Sequence, residues 1–567
     1  MKQTTFCVPL EVKPDSCSRL SALIEHMKAT EDTGAGGYPE NFARLEREVP
    51  TLHFMSMSVF PGSEFDPIFI LEANIDGSPG VFWGQLEAAI GDSLRDVVRC
   101  CKRPLDEGGP LHDAVTAPNS RAPIAPYFEA RTQQPSVFHH GNRGMTRDRI
   151  LREDALFAAV RSTIDNPDRI GPSPYRGTDA AQVHDRLRAE LAPDFGWLDD
   201  PTETRIPAAE RAADLARLAS FAVTTLLVLS LPGLMLAPLL ALVVRSLPRL
   251  PDARVLLSVS YVAIIVVVAL GFGLAAYRRR KPLPGTGVDT NVNLLPTLLS
   301  GAPRTAGFVL VYLFVTSLLL TPLVVGAGWL LHQFGVAATP TFFAAWRSTA
   351  IYVLWGLLGI VVSVALIVFW LRYLERRDSS HDAPHVDERM LREMVRREDW
   401  IAQNHMGSIV MIKPGVLRTI IIRAGHLGLG LLLRWTATNG YLGSMRTVHF
   451  AHWAFLNNGS RLLFFSNFDH SWDSYLDDFI EKAHVGLTLA WGCGVGFPPA
   501  RFLILDGASH GRQFKAWALA SRAVSRFWYS AYRDLTVDQI ERNNRIADGL
   551  RQRQLSQTEA AAWIRNL

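Results

Sequence analysis

The strongest constraint on this chain is a block of apolar sequence in its middle. Four stretches within it, Leu218–Val244, Val255–Tyr277, Thr305–Leu331 and Ser348–Leu371, contain no Asp, Glu, Lys or Arg. About 20 apolar residues carry a helix across the hydrocarbon core of a bilayer, where every backbone polar group must be bonded within the segment. The pattern therefore predicts four transmembrane helices. Arg211 and Arg217 precede the first, "YRRRK" (Tyr277–Lys281) follows the second, and "RYLERR" (Arg372–Arg377) follows the fourth. The positive-inside rule then places both large flanking regions in the cytoplasm, beneath a bacterial inner membrane. The loop with Arg245, Arg249 and Arg254 runs against that rule, and Pro232 and Pro238 interrupt the first stretch. A re-entrant first hairpin is the alternative.

Ion and proton carriers keep ionisable side chains inside the membrane because transport chemistry needs them. Their absence from all four stretches argues against a pump or transporter and for an anchor or dimerisation bundle, with a homo-oligomer as one outcome. The net charge of +4 over 567 residues is small, and no run of Lys and Arg is interleaved with aromatics. Nucleic acid is therefore not an expected partner. The five cysteines, Cys7, Cys17, Cys100, Cys101 and Cys493, form no spaced framework and read as reduced thiols. Met1–Leu20 has no long apolar core, so no secretory signal is expected.

Outside the membrane block one hairpin occurs twice. "TLHFMSMSVFPGSEFDPIFILEANIDGS" (Thr51–Ser78) and "TVHFAHWAFLNNGSRLLFFSNFDHS" (Thr447–Ser471) both open on Thr-x-His-Phe, pass a Gly-Ser turn and close on Asn-x-Asp-x-Ser. From His to Asn is 21 residues in the first (53 to 74) and 18 in the second (449 to 467). The difference falls in the turn, where length costs little. "TTFCVPLEV" and "GSIVMIKP" read as strands before the hairpins, each followed by a helix, and a second helix follows each hairpin. Ser78 with Pro79, and Ser471 with Asp473, signal the starts of those second helices. "RFLILDG" is the expected fourth strand of the second copy, with "PSVFHHG" a weaker one in the first. Strand, helix, two strands, helix, strand is the ferredoxin-like arrangement. The expected fold is α+β: duplicated ferredoxin-like domains forming an α+β barrel, with an inserted transmembrane four-helix block. The expected divisions are 1–104 for the first repeat, 105–207 for a polar linker and helical region completing it, and 208–378 for the membrane block. The second repeat takes 379–535 and a helical tail 536–567.

Strand alternation puts His449, Ala451, Trp453 and Phe455 on one face, and His53, Met55, Met57 and Val59 on one face of the first copy. The repeated His thus faces an apolar layer. It is either a ligand or proton carrier in a pocket, or a buried neutral His bonded to a carbonyl near the Asn-x-Asp turn. Asn74, Asp76, Asn467 and Asp469 suit that turn and the cap of the helix that follows.

"GASHG" (Gly507–Gly511) matches a nucleophile elbow with Ser509 as nucleophile, but no His follows His510, so the hydrolase order of residues is not met. "FHHGNRG" (Phe138–Gly144) reads as a surface loop, and no spacing of Cys and His suggests a metal site. No Walker A, Gly-x-Gly-x-x-Gly or His-Glu-x-x-His motif occurs. "VLRTIIIRAGHLGLGLLLRW" reads either as a helix on the membrane surface or as a core helix with snorkelling arginines. "TVDQ" at Thr536 and "SQTE" at Ser556 are capping boxes.

The stretch "HFAHWAFLNNGSRLLFFSNFDHSWDSYLDDFI", with "EDWIAQNHMGSIVMIKPG" before it and "FWYSAYRDLTV" after it, resembles a bacterial membrane family. That family is related to the ferredoxin-like α+β-barrel superfamily that contains the dye-decolourising peroxidases. The resemblance covers mainly Glu398–Val537 and, more faintly, Thr51–Asp92. It implies two ferredoxin-like halves, a haem held by a histidine, and a Gly-x-x-Asp-Gly motif whose Asp helps to cleave peroxide. "ANIDG" (Ala73–Gly77) stands where that motif would, with Ala for the first Gly; the second copy has "SNFDH". No distal Arg or proximal His is assigned by motif. Two functions follow. One is a non-catalytic module at the membrane that binds a lipid or small apolar ligand, or scaffolds a partner. The other is a haem-dependent peroxidase-like oxidoreductase with Asp76 or Asp469 as acid/base and His53, His449 or His452 near the reacting centre.

Overall fold

The computed structural model describes residues 3–31, 43–62, 66–166, 168–201, 204–246, 294–335, 341–378, 386–398, 402–436, 440, 442, 445–456 and 459–567. They fall into two compact units: Met1–Leu218 with Glu375–Leu567, and Ala219–Leu374. The strands are β1 (Gln3–Glu11), β2 (Leu52–Phe60), β3 (Ile68–Asp76), β4 (Val137–His140), β5 (Gln403–Met411), β6 (Val448–Leu456), β7 (Arg461–Asp469), β8 (Ala500–Arg501), β9 (Leu505–Asp506), β10 (Arg522–Ala523) and β11 (Ser525–Ser530). The helices used below are α1 (Cys17–Glu31), α2 (Pro79–Cys100), α3 (Arg147–Ile164), α4 (Ala180–Leu191), α5 (Ala208–Ser246), α6 (Leu294–Gln333), α7 (Phe342–Glu375), α8 (Val416–Thr436), α9 (Trp472–Trp491), α10 (Val537–Arg551) and α11 (Gln557–Trp563).

The first unit holds two antiparallel sheets, ordered β1-β3-β2-β11 and β10-β5-β7-β6-β4. Each has the strand that precedes a hairpin at the side of the hairpin's second strand. At one edge each sheet takes a strand from the flank of the chain that supplies the other sheet, an exchange of edge strands. β11, from the C-terminal region, pairs with β2 (Trp528 opposite Ser56), and β4, from the N-terminal region, pairs with β6 (His139 opposite Ala451). "PSVFHHG" is thus a strand, as its sequence suggests, but in the other sheet. "RFLILDG" forms only the two-residue strands β8 and β9, because Phe502, Leu503 and Asp506 take positive φ and break the extension. "FHHGNRG" is no surface loop: His139 and His140 are buried in β4.

Hydrophobic burial explains the layers. α1 and α2 cover the first sheet through Leu20, Ile24, Phe82, Trp83 and Leu86. α8 and α9 cover the second through Ile422, Tyr475, Phe479 and Trp491. Cys7, Phe60, Ile70, Leu456, Leu463 and Phe465 pack between the two sheets. The region 105–207 does not behave as a linker. α3 and α4 join α10 and α11 in a core of their own built on Leu156, Leu187, Ile546 and Trp563. Arg149 and Glu153 pair inside it at 2.8 Å, which conceals the apolar face behind a charged sequence. Thr536 and Ser556 form the two expected capping boxes.

Among the described residues four helices are long and apolar enough to cross a membrane: Ala208–Met235, Phe314–Gln333, Trp355–Glu375 and Val416–Thr436. The first three overlap three of the four stretches expected from sequence; Val255–Tyr277 lies outside the described residues. α5 runs on as a helix through Pro232 and Pro238. In the second unit α5 and α7 approach closely at Gly233 and Gly359, where a Cβ on Gly233 would meet the Trp355 carbonyl at 1.8 Å. Small residues at such crossings let helix backbones pack in lipid.

Gly141, at the end of β4, allows a close backbone approach. Its N–H donates to the His449 carbonyl at 2.7 Å, and a Cβ there would lie 2.2 Å from the Val448 carbonyl. Gly141→Ala should lower the unfolding free energy of the full chain in detergent by about 2–3 kcal/mol through overpacking against backbone, read as a fall in melting temperature.

Candidate functional site

The two Thr-x-His-Phe stretches do not continue the plain alternation of their strands. The register slips between Leu52 and Phe54 in β2, and between Val448 and Phe450 in β6. His53 and His449 are therefore bulge residues, and a bulge re-aims the side chain it carries. Both turn away from the face that alternation assigns them, toward the junction between the sheets. His53 Nε2 lies 3.1 Å from Asp76 Oδ2, and His449 Nε2 lies 2.7 Å from Asp469 Oδ1. Around them Phe54, Phe450 and Tyr532 pack at 5.3–6.0 Å between ring centroids.

Each Asp has a second partner in a distant helix. Asp76 Oδ2 accepts from the Arg147 N–H at 2.8 Å, and Asp469 Oδ2 from the Val537 N–H at 2.9 Å. These are the first residues of α3 and α10, whose N-caps Thr146 and Thr536 accept from Arg149 and Gln539. Carboxylates near helix N-termini satisfy orphan N–H groups and meet the positive end of the helix dipole. The sequence expectation had these Asp residues capping the helix that follows the hairpin. They serve instead the helix that follows each exchanged strand. The bulge carbonyls take part too: His53 O accepts from Ala531 N at 2.9 Å, as His449 O does from Gly141 N. Gln3 Nε2 donates to Met145 O, and Gln403 Nε2 to Leu535 O, closing the same loops from the far strand.

The Tyr532 hydroxyl stands 2.9 Å from His53 Nδ1. Burial first, and then Asp76, push its pKa well above the ordinary value. It keeps its proton, and donates to Nδ1 when Nε2 carries the ring proton toward Asp76. In "ANIDG" the glycine answers a backbone need. Gly77 takes φ +85°, and His470, after Asp469, takes φ +67°.

His452 lies elsewhere, in the polar part of the layer between the sheets. Its neighbour is Glu72, fully buried, whose Oε1 lies 3.8 Å from His452 Nδ1 and whose Oε2 lies 3.5 Å from His405 Nε2. Ser56 Oγ donates to this carboxylate at 3.1 Å, Asn74 Nδ2 at 2.6 Å and Asn467 Nδ2 at 3.4 Å. Burial raises the Glu72 pKa, but the hydrogen bond and charge of His405, with His452 and Asn74, outweigh it and hold the group below the usual range. Burial lowers His452 and His139 to about 4, and His140 well below its ordinary value.

Of the residues expected from sequence, His53 joins Asp76 and His449 joins Asp469, while His452 belongs to the separate Glu72 cluster. Ser509 is exposed in a short 3₁₀ turn, Gly507–Ser509. Glu72, His405, Tyr532 and the first turns of α3 and α10 escape a reading centred on the hairpins. One signal does mark those turns: Arg-x-x-Thr-x-Asp-x-Ile occurs at both Arg143–Ile150 and Arg533–Ile540.

Haem does not fit the His–Asp sites. Both ring nitrogens of His53 face partners, Asp76 and Tyr532. His449 Nε2 is bonded to Asp469, its Nδ1 is buried without a hydrogen-bond partner among the described residues, and the Phe54 and Tyr532 rings pack against the imidazole at 5.4 and 6.0 Å between centroids. Among the described residues no group of three or more His, Cys, Asp or Glu is arranged to hold a metal ion. Compared with protein-family models, curated proteins and solved structures, the chain matches none.

Two predictions follow from these contacts. Asp76→Ala removes the acceptor of the Arg147 N–H and the carboxylate beside His53, and Asp469→Ala removes the acceptor of the Val537 N–H and of His449 Nε2, so each should cost about 3 kcal/mol of stability, measured by denaturant unfolding of the full chain in detergent. The second concerns pH. His139 and His452 have folded pKa values near 4 against 6.5 for the free side chain. Below pH 6.5 the unfolded chain takes up protons that the folded chain refuses, so stability falls as pH drops from 6.5 toward 4. Glu72 has a depressed folded pKa, and its contribution is lost only below the usual carboxylate range. The slope between pH 6.5 and 4 should flatten in His139→Asn and in His452→Asn.

Proposed function

We propose that this chain is a membrane-anchored, non-catalytic module that binds a lipid or small apolar ligand, or scaffolds a partner, at a bacterial inner membrane. Its extramembrane unit is read as two ferredoxin-like halves related by duplication, with exchanged closing strands. The observation that carries this reading is what both His–Asp pairs are bonded to. Each is buried and joins a strand end to the N-terminus of a helix. A catalytic pair needs a face open to substrate; these faces hold backbone N–H groups and aromatic rings.

Duplication is supported by matched residues in matched contacts: Gln3 with Gln403, His53 with His449, Asp76 with Asp469, Thr146 with Thr536. Anchoring is supported by the apolar helices between Leu218 and Glu375. A cytoplasmic position of the flanks is supported by Arg211, Arg217, Arg376 and Arg377 at the ends of that block.

The test is spectroscopic. The full chain, purified in detergent and supplemented with haemin, is expected to show only the spectrum of free haemin, and alkaline washing of membranes is expected to leave the protein in the pellet. A Soret band shifted by binding and lost in His449→Gln would overturn the non-catalytic reading in favour of the peroxidase-like one.

A further inference from the structure

We infer that α8 is an interfacial helix, one face held by the first unit and the other embedded at headgroup level in an anionic bilayer; this rests on the membrane-anchored reading above. α8 is one of the four helices apolar enough to span a membrane, and its 21 residues would reach about 30 Å. It is nonetheless held along its length by the first unit. His426 is fully buried, with Ser136 Oγ 2.8 Å from Nδ1 and the Ala490 carbonyl 3.0 Å from Nε2. Ile422 is buried beside it, Leu429 and Leu433 pack on the same core, and Gly430 lies against Ser136 and Val137. A helix bonded in this way to β4 and α9 does not cross a bilayer by itself.

The opposite face carries large apolar side chains with no cover. Val416 is 77% exposed, Ile420 61%, Leu427 53% and Trp435 44%. The spacing is that of one helical stripe. Arg423 is exposed beside it, and Arg418 and Arg434 stand toward its ends. A stripe of Val, Ile, Leu and Trp flanked by arginines is the composition of a helix lying in a lipid interface.

Both ends of α8 show which surface it meets. The chain leaves the first unit at Leu218 and re-enters it at Glu375. Near the exit, Asp214 pairs with Arg434 at 3.5 Å and with Arg143 at 2.7 Å, and Arg143 also donates to the Arg434 carbonyl. Near the re-entry, Asp378 pairs with Lys413 at 2.9 Å and with Arg418. The C-terminal end of α8 is therefore fixed beside the point where the chain leaves the first unit, and its N-terminal end beside the point where the chain re-enters it. Arg217, Arg376 and Arg377 are exposed at the same two places. This ring of positive charge selects anionic headgroups.

The test uses the full chain in vesicles of phosphatidylethanolamine and phosphatidylglycerol. Cys17→Ser removes the partly exposed thiol, and an environment-sensitive fluorophore is placed at Ile420→Cys, at Leu427→Cys or at the exposed control Glu107→Cys; unchanged melting temperatures verify each fold. Lipids spin-labelled near the headgroup should quench the first two labels at least about two-fold more than the control, with weaker quenching by lipids labelled deep in the chain. Equal quenching at all three sites, in protein that still resists alkaline extraction, overturns the inference and leaves the anchor reading standing. Strongest quenching of Leu427→Cys by the deep label overturns it in favour of a span. Release of the protein by alkaline washing overturns the anchor reading and the inference with it.

Discussion

The first unit depends on a joint made twice: a carboxylate at a strand end, a bulged histidine beside it, and the first N–H of a helix from elsewhere in the chain. At Asp76 the joint ties β3, His53 and α3; at Asp469 it ties β7, His449 and α10. The exchanged strands β4 and β11 have four and six residues, and ladders that short hold an edge only weakly. What fixes them is where they end. The residue after each strand donates to a bulge carbonyl, and the helix that follows points its N-terminus at the Asp. Removing the carboxylate would release the exchanged strand, the helix and the bulge together.

Much of this architecture is legible in the chain. The apolar stretches, both hairpins and the caps at Ser471, Thr536 and Ser556 stand in the residues themselves, whereas the pairing of each His with an Asp, and not with a carbonyl, does not. The bulge does not, because an extra residue in one strand leaves the hydrophobic pattern almost unchanged while it reverses the direction of one side chain. The strand exchange is hidden for another reason. "PSVFHHG" reads as a weak strand, but which sheet receives it depends on contacts hundreds of residues away, and "SRFWYS" carries no strand reading of its own. The region 105–207 misleads through its charge. Arg147, Arg149 and Glu153 suggest solvent, yet they lie buried in pairs and caps, where a buried charge is tolerated only because it is partnered.

The two sheets also differ in what they place at one pair of matched register positions. Glu72 sits opposite Cys7 in the first sheet, and Phe465 sits opposite Gly407 at the corresponding place in the second. Phe465 needs the glycine, since a Cβ on Gly407 would lie 2.3 Å from its ring. Glu72 needs Ser56, Asn74, Asn467 and two histidines to hold its charge in the interior. An apolar pair of similar size would cost less than a buried carboxylate. A charge kept there fixes the register of one sheet against the other, because a slip would leave it without donors.

The strand exchange bears on the membrane block as well. β4 precedes the apolar helices and pairs with β6, which follows them; β11 follows them and pairs with β2, which precedes them. Two flanks that share both sheets lie on the same side of any membrane between them. In the proposed arrangement the chain between Leu218 and Glu375 must then cross an even number of times. α5, α6 and α7 supply three helices of sufficient length, and α8, held on the first unit through His426, is not the fourth. In that proposed arrangement an odd count would part β4 from β6 across the bilayer, although the two are paired in one sheet.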